Sequence, residues 1–123
     1  MAITFNTDRL QGLEGTTING VYGRIQSVTV KKYDATTDPD VAAHFGIMYD
    51  VILHTTAVKR NAAGEYPQWD NRLRSREIDH FTATVTPDQM NAADANNYTL
   101  AYADLKAKLA ADSPPKATSI ADA

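Results

Sequence analysis

Apolar residues alternate most clearly in Phe45-Gly-Ile-Met-Tyr-Asp-Val-Ile-Leu-His-Thr55, where Phe45, Ile47, Tyr49, Val51 and Leu53 share one parity. Side chains on a strand point alternately to its two faces. The pattern predicts a long strand, running to about Val58, with one fully apolar face. The other face is mixed, carrying Gly46, Asp50 and His54 beside Met48 and Ile52. An earlier strand is predicted over Ile18 to Tyr33, but its phase changes midway. Val21 and Ile25 share one parity, Val28 and Val30 the other. One extra residue in a β-bulge near Gln26-Ser27 restores a common face. Gly20 and Gly23 mark bending or close backbone approach. A third strand is predicted from about Leu73 to Val85. Three such strands in sequence make an antiparallel meander, open or rolled towards a barrel.

The connecting segments read differently. Residues 1–17 open with Ile3 and Phe5 and then turn polar, an N-terminal arm or short strand. Residues 34–43 form a polar link around Pro39, and Asn61, Gly64 and Pro67 mark a turn after the second strand. Thr86-Pro87-Asp88-Gln89 is a helix start: Thr caps, Pro takes the first helical position, and Gln completes a capping box. Asn96 and Asn97 offer a second cap. From there Tyr98, Ala101, Tyr102, Leu105 and Leu109 repeat at helical spacing to about Ala111, predicting a helix that lies on the Phe45–Leu53 face. Residues 112–123 are rich in Pro, Ser and Ala and are expected to be an extended tail that forms no packed element unaided. The fold class is α+β: an antiparallel sheet with a C-terminal helix packed on it. Residues 18–111 form one domain between two extended termini.

Composition narrows the function. The 123 residues are 43% hydrophobic and 22% charged, enough for one domain with a modest core. A net charge of -3 argues against a general nucleic-acid binder, which needs clustered Lys and Arg. Cysteine is absent, which removes disulfides, thiolate metal sites and thiol nucleophiles. The N-terminal residues lack the basic start and apolar centre of a secretory leader, and no apolar run is long enough to span a bilayer. Neither a cofactor nor a small-molecule substrate is implied.

The candidate chemistry is sparse. His44, His54 and His80 lack metal-ligand spacing, and ordinary strand histidines account for them. Glu77 and Asp79 share a parity and suit general acid–base work, but an ion-pair network with neighbouring arginines explains them more simply. Arg72, Arg74 and Arg76 are expected on one face of the third strand, with Lys31 and Lys32 at the end of the first and Lys59 and Arg60 after the second, either as a phosphate-binding or acidic-partner surface or as a solvated face that discourages edge pairing. Tyr66, Pro67 and Trp69 cluster in a loop, where Tyr and Trp can anchor a partner or fold back on the sheet. Ile120, alone in a polar tail, is a candidate peg for a neighbouring subunit or part of a disordered end.

The order of parts resembles small bacteriophage virion proteins of the tail or head-completion type. The resemblance rests on Gly20-Val-Tyr-Gly-Arg-Ile-Gln-Ser-Val28, on the Thr-Pro-Asp segment before the helix, and on Asn97-Tyr-Thr-Leu-Ala-Tyr-Ala-Asp-Leu-Lys106. It covers most of residues 18–109 as pattern. The aromatic-acidic ending usual in such proteins is replaced here by Ser113-Pro-Pro-Lys116 and an Ala-rich end. The resemblance implies a non-enzymatic part of a symmetric particle (tail, neck or baseplate), built in the host cytoplasm. Its partners are then copies of itself and other virion proteins, and Tyr66, Trp69, Arg72, Arg74, Arg76 and Ile120 are the contact candidates. A different class remains open: a small-ligand or carbohydrate-binding β-module with Tyr66 and Trp69 as a stacking platform.

Overall fold

A computed structural model describes residues 2–55, 72–92 and 96–123. Strand β1 (Ile3–Thr7) is followed by β2 (Ile18–Tyr33), the two-residue strands β3 (Thr36–Thr37) and β4 (Asp40–Val41), and β5 (His44–His54). Then come β6 (Arg72–Leu73), β7 (His80–Val85), α1 (Pro87–Met90), α2 (Asn97–Ala111) and β8 (Thr118–Asp122). The main sheet has the order β6-β5-β2-β1-β8, with β7 also paired to β5, and β3 and β4 form a separate small hairpin. Every pairing is antiparallel. Among the described residues the sheet stays open and does not close into a barrel. Turn residues Asn61, Gly64 and Pro67, the basic pair Lys59 and Arg60, the aromatic pair Tyr66 and Trp69, and the expected end of the second long strand beyond Thr55 lie outside the described residues.

Strand β2 spans the expected residues, and its register on β5 shifts between Ile25 and Ser27, so Gln26 is the inserted residue. The bulge lets Val21, Ile25, Val28 and Val30 all face the core. Gly20 has a φ of +68°, the left-handed region that glycine enters without strain. Gly23 leaves room for a ring: a Cβ there would sit 3.0 Å from Phe5 Cε1. On β5, Ile47, Tyr49, Val51 and Leu53 are buried in the core, with Phe45 half-buried at its rim.

Both helix starts follow their caps. Thr86 accepts from Gln89 N while Gln89 Oε1 accepts from Thr86 N, and Asn96 Oδ1 accepts from Thr99 N. Helix α2 buries Ala101, Tyr102, Leu105 and Leu109. Tyr98 departs from the expected stripe: it is 43% exposed, and its hydroxyl reaches only the edge of the bulge at Gln26 O, 3.5 Å away. One turn later Tyr102 is buried, and its hydroxyl accepts from Ile25 N at 2.8 Å. A polar lock holds the same helix to β5 and β7. Tyr49 Oη donates to Asp104 at 2.7 Å, Lys108 also pairs with Asp104, and Lys108 Nζ donates to Thr82 O at 2.8 Å.

Of the two alternatives for the N-terminus, the short strand is the one found, and it is interior: β1 lies between β2 and β8, with Ile3 and Phe5 buried. The other terminus corrects the sequence reading. The expected loose tail turns back and pairs with β1. Ala117 is buried and donates to Leu109 O, Thr7 Oγ1 donates to Lys116 O at 2.6 Å, and Lys106 pairs with Asp122 at 3.0 Å. Backbone hydrogen bonding to β1 orders a segment whose few apolar side chains would not hold it. Ile120 is half-buried against the core of its own chain and does not stand free as a peg.

Candidate functional site at the edge of the sheet

The expected third strand is broken. Arg72 and Leu73 pair with His54 and Leu53, and His80–Val85 pair with Asp50 back to Phe45. Residues 74–79 leave the ladder between them, apart from a hydrogen bond from Val51 N to Asp79 O at 2.7 Å. Two side chains shape this excursion. Ser75 is buried, and its Oγ accepts from Glu77 N (3.2 Å) and Ile78 N (3.1 Å), a local turn that competes with strand pairing. Ile78 is fully buried in the main core. Its parity is opposite to that of Leu73, Phe81, Ala83 and Val85, so a continuous strand could not bury all five.

The excursion is tied to the N-terminal loop. Gln11 N donates to Arg74 O at 2.8 Å. Arg9 bridges three segments: Nη1 meets Glu77 Oε1 at 2.7 Å, Nε meets Asp8 Oδ1 at 3.0 Å, and Nη2 donates to Pro114 O at 3.2 Å. Burial works against the charged guanidinium, but the two carboxylates prevail and its pKa is held above the ordinary value.

The break separates the three arginines expected on one face. They surround a small pocket of about 150 Å³, with Gln11, Ser75, Asp79 and the apolar floor of Val51, Leu53 and Ile78. Arg72 is half-buried on the edge strand β6. Arg74 and Arg76 flank the buried Ser75 and are exposed. Their side chains form no ion pair or hydrogen bond with any described residue.

Glu77 and Asp79 are not brought together as a pair. Glu77 is taken by Arg9, which the sequence reading did not connect to it, whereas Asp79 lies in the pocket wall, 3.9 Å from His80. The histidines are likewise separate. His44 and His54 stand at opposite ends of β5. His44 stacks on Tyr33 with ring centroids 4.9 Å apart, His54 is buried beside Tyr22, and His80 is exposed on β7. No cluster of three or more metal-ligating side chains occurs among the described residues, and no described helix is long and apolar enough to cross a membrane.

At one margin of the sheet lie β6, the excursion and β7; at the other lies β8. Among the described residues neither margin has an outer neighbour. An edge strand is a template to which a further strand can pair, although Thr82 O and Arg74 O at the β6–β7 margin are already taken by Lys108 and Gln11. In comparison with known proteins, no family model, no curated protein and no solved structure matches the chain.

Proposed function

We propose that this chain is a non-enzymatic structural component of a bacteriophage virion, placed in the tail, neck or baseplate. It works through contacts with copies of itself and with other virion proteins, and it is assembled in the host cytoplasm. The observation that supports the reading is a pair of sheet margins with no further strand alongside among the described residues, one of them bearing two exposed arginines that likewise have no partner there. Open margins let identical bodies join by strand addition, and a head-to-tail joint of this kind closes into rings or extends into tubes. The patterns at residues 20–28 and 97–106 supply the particle type by resemblance. Arg is also enriched at protein interfaces, which suits Arg74 and Arg76 as contact residues.

The test is assembly. The purified chain, alone and co-produced with the products of its neighbouring genes, is examined by mass photometry and electron microscopy. Regular oligomers, or incorporation into particles, support the reading. A protein that stays monomeric in every combination and is missing from purified particles refutes it.

A further inference from the structure

We infer that the arginine pocket is a carboxylate-docking site, which takes an acidic side chain from an extended protein segment running along the β6–β7 margin. The inference rests on the assembly reading and names the chemistry of its contact. Size is the first argument. Sites for metabolites and cofactors occupy about 300–1,000 Å³, whereas this pocket offers about 150 Å³, room for one side-chain head group. Charge is the second. Arg74 and Arg76 both line the pocket, and neither has a carboxylate partner among the described residues. The planar guanidinium matches a carboxylate bidentately. Asp79 in the same wall opposes a doubly charged phosphate more strongly than a singly charged carboxylate.

Rigidity is the third argument. The segment that carries both arginines is fixed by the Ser75 turn, by Ile78 in the core, by Gln11 on Arg74 O, and by Arg9 on Glu77. A segment whose backbone is already ordered loses less freedom on binding than a loop that must first be fixed. Position is the fourth. The pocket lies where the ladder of β5 is interrupted, between β6 and β7. A segment that adds to this margin as a strand presents alternate side chains towards it, and one of them falls at the pocket.

The probe is a capped peptide alternating glutamate with valine, titrated into the full chain and followed by calorimetry and amide chemical shifts. Controls are the same peptide with glutamine for glutamate, and inorganic phosphate. Saturable binding with shifts confined to Gln11 and residues 72–79 is expected. Arg74→Ala and Arg76→Ala should each weaken it about tenfold, or ~1.4 kcal/mol, and Arg74→Lys should recover only part of the loss. Both side chains are exposed, so the variants should keep the wild-type fold, checked by their melting temperature. Equal binding of the glutamine peptide, stronger binding of phosphate at these residues, or no binding of the glutamate peptide would each overturn the inference. The two proposals fail separately. Wild-type assembly by an Arg74→Ala/Arg76→Ala protein removes the pocket's role and leaves the assembly reading standing. Peptide binding by a chain that never assembles does the reverse.

Discussion

Tyr98 and Tyr102 sit one helical turn apart on the same apolar stripe, yet the structure gives them different roles, and Tyr102→Phe tests the difference. The Tyr102 hydroxyl accepts the Ile25 N–H at 2.8 Å inside the protein, at the point where β2 shifts register on β5. Replacement by Phe keeps the ring, opens no cavity and takes the acceptor from the Ile25 N–H. A buried donor left without its acceptor costs about 1–3 kcal/mol. With 123 residues and an unfolding entropy of about 2.1 cal/mol/K per residue, that cost lowers Tm by roughly 4–12 °C. Urea titration should show a lower midpoint with an unchanged slope, as expected when the surface exposed on unfolding stays the same. Amide exchange at Ile25 should accelerate. Tyr98→Phe is the control: its hydroxyl is exposed and 3.5 Å from Gln26 O, and its removal should change stability by less than about 0.5 kcal/mol. If the two variants unfold alike, or if Tyr102→Phe stays within about 0.5 kcal/mol of the wild type, the helix does not support the bulge in this way.

Three further outcomes are expected. Leu105 is completely buried between α2 and the sheet, so Leu105→Asp should cost several kcal/mol, about the 3–5 kcal/mol of an unpaired buried charge, and thermal unfolding at the wild-type temperature would refute the packing. Ser75→Ala strips the acceptor from two backbone N–H groups; it should cost about 1–3 kcal/mol and weaken the glutamate peptide, and undiminished binding would show that the turn does not position the arginines. Burial, and then the hydrogen bond to Asp104, push the Tyr49 hydroxyl pKa up from its ordinary value. The unfolded chain therefore loses this proton first, so the contribution is complete below about pH 10 and falls above it by about 1.4 kcal/mol per pH unit. Tyr49→Phe should flatten that alkaline limb by about one proton, and an unchanged slope in urea titrations between pH 9.5 and 11 would count against the lock.

Much of the fold is legible in residue order because local patterns and tertiary packing agree. The Val21/Ile25 and Val28/Val30 phases could share a core only through a bulge, and the structure has one at Gln26. Thr86 and Asn96 announced the two helices by satisfying backbone donors that any helix start leaves open. The termini were less legible. Ile3 and Phe5 are too few to distinguish an arm from a strand, and β8 is held mainly by backbone pairing to β1, which leaves little trace in side-chain type. Tyr98 followed the helical period, but the period says which face a residue shares and not how far the sheet extends beneath it.

The candidate site was legible in its residues and not in its geometry. Arg72, Arg74 and Arg76 were expected as one strand face, whereas they line one pocket at the break in the strand. Ile78, out of phase with its apolar neighbours, and Ser75, a turn-forming hydroxyl beside it, were the signals that the strand breaks. The bond from Arg9 to Glu77 joins residues 68 positions apart, a separation that no local pattern reports. Tyr66 and Trp69 lie outside the described residues, so the arginines alone carry the site reading.

Backbone amide exchange, measured on the free chain and on its assembled form, tests most directly whether this body works by being joined at its margins. Slower exchange confined to residues 74–85 or to Thr118–Asp122 is the result expected here. Assembly that leaves both segments exchanging as in the free chain, and protects some other surface, would contradict it.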